Sequence, residues 1–247
     1  MGALSEGPHR ATVERIVLEV DGSSVDAVHA RPDGRALGGI AMVPDIGGIR
    51  PLFDDLCRRL ATHGLAVCAV EPFDRVPPDE RAGLDVDRRM QLVAGLTDDH
   101  LIASLGEAAD HLAAADGVHR PAVMGFCMGG YYALKAAATG RFGRAVSFYG
   151  MVRTPEQWAG PGHAEPLATA GQACPTLYIA GDIDPWVPHD DIDALREAWA
   201  GREDCRVLIY RGADHGFIHD ADRPAHRADD AEDAWRHALA WVFEGEA

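Results

Sequence analysis

The chain reads as an α/β fold: a mostly parallel, twisted sheet with helices on both faces. Three observations predict it. Short apolar runs alternate with stretches of helical period, a pattern that sets parallel strands between crossover helices. A glycine-rich turn, Gly125-Phe126-Cys127-Met128-Gly129-Gly130, joins one such run directly to a helical stretch. At the N-terminal end, two alternating segments flank Asp21-Gly22, a hairpin signal that makes the sheet antiparallel there. Thr12 to Val20 and Ser24 to Arg31 are the hairpin strands, and Gly39 to Val43 is a buried strand. Pro51 to His63 is a helix, with Leu52, Leu56 and Leu60 on one face and Gly64 as its stop. Leu65 to Val70 is the next strand. Residues 74 to 90, with Pro77-Pro78 and many charges, read as a surface excursion. Asp98 to Ala115 is helix, Pro121 to Met124 strand, Tyr131 to Ala138 helix and Arg144 to Tyr149 strand. Residues 151 to 173 are irregular. Thr176 to Ala180 is strand, Asp190 to Ala200 helix, Arg206 to Tyr210 strand and Asp229 to Phe243 helix. The crossovers should be right-handed. No linker composition divides the chain, so one domain over 1–247 is expected.

The chain has 247 residues, with 23 Lys+Arg against 39 Asp+Glu, a formal charge of −16. Excess acid argues against a nucleic-acid backbone or an anionic bilayer as partner, but leaves room for a locally basic cleft. The five cysteines, Cys57, Cys68, Cys127, Cys174 and Cys205, are odd in number and include no C-x-x-C pair. A disulfide scaffold or zinc ribbon is therefore not expected. The start, Met-Gly-Ala-Leu-Ser-Glu, lacks a secretory pattern, and no apolar run reaches the ~18–20 residues of a membrane helix. A cytoplasmic location is expected.

The turn at 125–130 has the strand-to-helix context of a nucleophile elbow, with cysteine in place of the usual serine of G-x-S-x-G. Gly125 and Gly129 would remove collisions that side chains make around so tight a turn. The following helix directs its free N–H groups and positive dipole end at Cys127, which favours thiolate over thiol. An α/β-hydrolase carries its acid and histidine after the nucleophile, in that order. Here Gly181-Asp182-Ile183-Asp184 follows one strand and Asp214-His215-Gly216-Phe217 follows another. His215 can take the proton of Cys127, and Asp182 or Asp184 can fix its tautomer.

These residues resemble the dienelactone hydrolase family of α/β-hydrolases, from about the strand at 39–43 to the final helix. The motifs are G-F-C-M-G-G around Cys127, G-x-x-D-x-x-V-P from Gly181 to Pro188, and A-x-H-G-F from Ala213 to Phe217. The resemblance implies a triad of Cys127, Asp184 and His215, with Asp182 the runner-up acid. It implies an oxyanion hole from the N–H groups of Ile46 and Met128. Family members typically carry Glu, touching the resting thiol, where this chain has Asp45. In the founding enzymes an arginine shortly after the histidine helps hold the substrate carboxylate; His219 stands roughly there, and Arg88, Arg89, Arg223 and His226 are other cationic candidates. Phe126, Tyr149 and Trp186 lie near the motif loops as candidate pocket walls.

The expected function is hydrolysis of activated esters or lactones through a thioester. A thiol of pKa about 8.5 leaves a tetrahedral intermediate more readily than an alkoxide, whose conjugate acid lies near water's ~15.7. Enolates and aryloxides compete better. A different reading is a catalytically silent hydrolase-fold protein that binds a small molecule. No cofactor is implied. His215, His219 and His226 raise zinc as a rival, but H-E-x-x-H is absent and no metal is expected. A monomer or homodimer acting on a small molecule is expected.

Overall fold

A computed structural model describes residues 2–244; Met1 and the last three residues of the expected 1–247 domain lie outside the described residues. One eight-stranded sheet has the order β1-β2-β4-β3-β5-β6-β7-β8. Its strands are β1 Ala11–Val20, β2 Ser23–Pro32, β3 Gly38–Val43, β4 Leu65–Val70, β5 Ala122–Phe126, β6 Arg144–Phe148, β7 Thr176–Gly181 and β8 Cys205–Tyr210. β1 and β2 pair antiparallel, as do β2 and β4, and every later pairing is parallel. The hairpin turns through Asp21 and Gly22, both at positive φ, the backbone an Asp-Gly turn needs.

The central strands are buried on both faces, which is why their sequences are continuous apolar runs rather than alternating ones. In β3, Ile40 and Met42 join one core and Ala41 and Val43 the other. The first core is covered by α1 Pro51–Thr62, α7 His189–Ala198 and α8 Ala228–Phe243; the second by α4 Asp98–Asp116 and α5 Met128–Ala136. The order reverses at β3, which pairs with β4 on one side and β5 on the other. Such a switch point opens a crevice beyond the carboxyl ends of the strands.

Two expectations are corrected. The stretch 151–173 is not wholly irregular, since α6 Pro166–Thr169 interrupts it; the surface excursion at 74–90 holds α2 Pro78–Arg81 and most of α3 Val86–Val93. α2 buries no residue, while α3 packs Met90, Leu92 and Val93 on the second core, and arginines also anchor the segment. Arg81 pairs with Asp26 and approaches Glu71, and Arg89 lies 5.3 Å over the Phe73 ring. Asp85 caps α3 by accepting from the Arg88 N–H at 2.8 Å. Helix α5 begins at Met128 rather than Tyr131, because Cys127 alone makes the whole turn out of β5.

Candidate active site

Cys127 sits at φ 55°, ψ −119°, a left-handed conformation that costs a non-glycine residue strain. Two hydrogen bonds hold it: its N–H donates to Phe148 O at 3.0 Å, and its carbonyl accepts from the Tyr131 N–H at 3.0 Å. The flanking glycines are obligatory. A Cβ on Gly125 would lie 2.0 Å from Gly129 O, and one on Gly129 would lie 2.1 Å from Val43 O. The thiol is partly exposed, unlike Cys57 and Cys68, which are buried.

His215 and Asp184 come from the loops after β8 and β7. Nδ1 of His215 donates to Asp184 Oδ2 at 2.8 Å. The other carboxylate oxygen, Oδ1, accepts the Trp186 N–H at 2.8 Å, so the acid is fixed from both sides. That leaves Nε2 as the ring nitrogen the acid does not engage, and it is buried. Burial presses the His215 pKa down and is the largest single effect, but its interactions with Cys127 and with the Asp184 carboxylate outweigh it and raise the pKa to about 10. Asp182 is not the partner: its carboxylate accepts the Gly212 N–H, and its carbonyl accepts from His189 Nε2 at 2.7 Å. It ties the β7 and β8 loops together.

The loop after β3 brings Ile46 beside Asp45. The backbone N–H groups of Ile46 and Met128 make no hydrogen bond to another described backbone group, as donors kept for a ligand oxygen would. Among the described residues, Asp45 makes no hydrogen bond to the Cys127 thiol. Its buried carboxylate accepts from Arg50 Nη1 at 2.6 Å and Nη2 at 2.9 Å, Gly47 N–H at 2.8 Å and His219 Nε2 at 2.8 Å. Burial alone would raise its pKa, but His219 and Arg50 hold it well below the usual carboxylate range.

The structure also corrects the candidate pocket walls. His219 is fully buried, with Nδ1 facing the Tyr149 hydroxyl and Nε2 facing Asp45, so neither nitrogen is left for a substrate carboxylate or a shared zinc. Phe126 is core, stacked on Phe148 at 4.7 Å. Tyr149 is fully buried, and its ring meets that of His215 in a T-shaped contact, 5.0 Å between ring centroids. Trp186 does reach the surface, 37% exposed, with its ring 6.4 Å from His215 and stacked on Trp158 at 6.2 Å. Nothing in the sequence joined Trp158 to the site, because its strand-free segment carries no periodicity.

Two clefts adjoin the site. One of about 840 Å³ is lined by Asp45, Ile46, Arg50, Leu84, Arg89 and Arg223, among others. The other, about 620 Å³, is lined by Trp186, His215, Arg223 and His226, among others. Arg223 belongs to both and makes no side-chain hydrogen bond or ion pair with another described residue. Gly216, at φ 77°, makes room for it: a Cβ there would lie 2.5 Å from Arg223 Nη1. Arg88 is spent on Gln91 at the surface, and His226 Nδ1 is bonded to Phe217 O at 3.0 Å.

A model of the dienelactone hydrolase family matches residues 25–244. A relative from Escherichia coli O157:H7, named "Putative carboxymethylenebutenolidase", is 32% identical over 227 residues, 89% of this chain and 82% of its own. One from Bradyrhizobium sp, named "Probable 2-oxo-3-(5-oxofuran-2-ylidene)propanoate lactonase", is 30% identical over 232 residues, 91% of each chain. A crystal structure from Klebsiella pneumoniae subsp. pneumoniae, titled as a "Putative Dienelactone Hydrolase", is 30% identical with a TM-score of 0.84, covering 94% of this chain and 98% of that one. The chain therefore belongs to the dienelactone hydrolase family and is a carboxylic ester hydrolase of the α/β-hydrolase fold.

Proposed function

We propose that the protein hydrolyses activated esters, above all enol lactones, through a thioester on Cys127. The observation that carries this reading is the ordered set Cys127, His215 Nε2, His215 Nδ1 and Asp184 Oδ2, built around a strained apex. A protein that only binds has no use for a nucleophile, a base and its orienting acid in one line. The sulfur lone pair of Cys127 forms the C–S bond while the carbonyl π pair moves to oxygen, held by the Ile46 and Met128 N–H groups. Collapse breaks the C–O bond. The leaving oxygen keeps the pair and takes the proton from His215. Water then gives a proton to His215 and its hydroxide to the acyl carbon, and the thiolate departs.

Because His215 must serve the leaving oxygen, the enol half faces the cleft of Trp186 and Arg223, and the acyl half faces the cleft beside Ile46. Arg223, cationic and unpaired between the two, would hold a substrate carboxylate, the group present in the substrates after which the relatives are named. The test is a panel of enol lactones, aryl esters and ethyl esters. The expected order of kcat/KM puts the ethyl ester last. An ethyl ester cleaved fastest contradicts the proposal.

A further inference from the structure

Three loops must stay in register for the site to work: the β3 loop carrying Ile46, the turn after β5 carrying Cys127, and the β8 loop carrying His215. A buried polar chain joins the first and third directly and ends on Tyr149, the residue following β6. Arg50 clamps Asp45 through both guanidinium nitrogens, Asp45 accepts from His219 Nε2 at 2.8 Å, and His219 Nδ1 meets the Tyr149 hydroxyl. Asp45 directly precedes Ile46, and His219 lies four residues after His215. Tyr149 is itself pinned at φ 39°, its N–H donating to Ile179 O at 2.6 Å. Burial lowers the pKa of His219 against the pull of Asp45, and burial raises that of Tyr149. The proton order follows: the phenol O–H donates to Nδ1, and Nε2–H donates to the Asp45 carboxylate. The buried polar groups of this Arg50–Asp45–His219–Tyr149 relay are partnered, which fixes a single arrangement.

We infer that Asp45, His219 and Tyr149 are positioning residues that hold the Ile46 N–H at the height of the developing oxyanion. The inference rests on the proposed thioester reading. Loss of the link misplaces one of the two oxyanion donors while leaving the Met128 donor and the Cys127–His215 pair in place. Removing such a donor outright costs about 10²–10³ in kcat, and a misplacement of about 1 Å costs up to about 10².

The experiment compares wild type with His219→Leu, His219→Gln and Tyr149→Phe, using a p-nitrophenyl ester burst and inactivation by iodoacetamide. Alkylation forms no oxyanion, so it reports the nucleophile without the hole. His219→Leu should lower kcat by roughly ten- to hundredfold with KM little changed and alkylation at the wild-type rate. His219→Gln restores a donor to Asp45 and should recover most of kcat. Tyr149→Phe keeps the ring against His215 and should lose kcat in the same pattern. It serves alone if the leucine variant does not fold. Wild-type kcat in the folded variants, or alkylation falling in step with kcat, overturns the positioning role. A wild type with no acyl burst overturns the thioester reading itself, and this inference with it.

Discussion

Cys127 projects from a backbone conformation that only an imposed turn would hold, and the field around it comes from named groups on either side. Cys127→Ala should therefore remove turnover while circular dichroism and melting temperature stay at wild-type values. The two aspartates of the β7 loop separate cleanly. Asp184→Asn leaves His215 without a carboxylate at Nδ1 and should cost on the order of 10⁴ in kcat; Asp182→Asn, remote from the imidazole, should stay within about tenfold. A titration of the histidine follows from its raised pKa. Folding raises the His215 pKa above its ordinary 6.5 to about 10, so the imidazolium contributes stability fully present below about pH 6.5 and lost as pH rises through about 10. An NMR titration of the ring in the free enzyme should find it protonated at neutral pH, and a neutral ring at pH 7 contradicts the ion pair.

The elbow works because β5, its turn and α5 pack without spare volume. Gly129→Ala should fail to accumulate as folded protein, since its Cβ would displace the Val43 carbonyl at the end of β3. Further along α5, Lys135 is buried, donating to Asp98 Oδ1 at 2.6 Å and to the Tyr131 hydroxyl at 2.6 Å. Burial lowers its pKa to about 8 against the pull of Asp98. Lys135→Met strands the Asp98 carboxylate and should cost about 3 kcal/mol in urea unfolding; an unchanged midpoint rejects that account. The strands and long helices were legible in the chain because burial on both faces writes continuous apolar runs such as Ile40 to Val43, and the 3.6 period writes Leu52, Leu56 and Leu60. The α2 and α3 segment was not, because one helix is a single turn and the other two turns, too short for a period to stand out beside Pro77-Pro78 and the many charges.

The same limit decides which parts of the site could be read beforehand. The elbow, the acid loop and the histidine loop each carry a short local motif, and the fold brings them to one sheet edge. The fates of Asp45 and His219 depend on a partner 174 positions away, and no local pattern encodes that. His219 stands near the place of a substrate-binding arginine, yet it closes inward, and Arg223 is the cation that lines both clefts. On a chain of charge −16, that arginine makes the cleft locally basic. Arg223→Gln should raise KM at least tenfold for a carboxylate-bearing aryl ester and leave a neutral one nearly unchanged; equal effects on both reject the assignment. The central claim is the covalent route through sulfur. Acid-quenched turnover of a p-nitrophenyl ester, followed by peptide mass spectrometry, tests it most directly: the account predicts the acyl mass on the peptide that contains Cys127, and an acyl group on any other residue, or turnover surviving in Cys127→Ala, contradicts it.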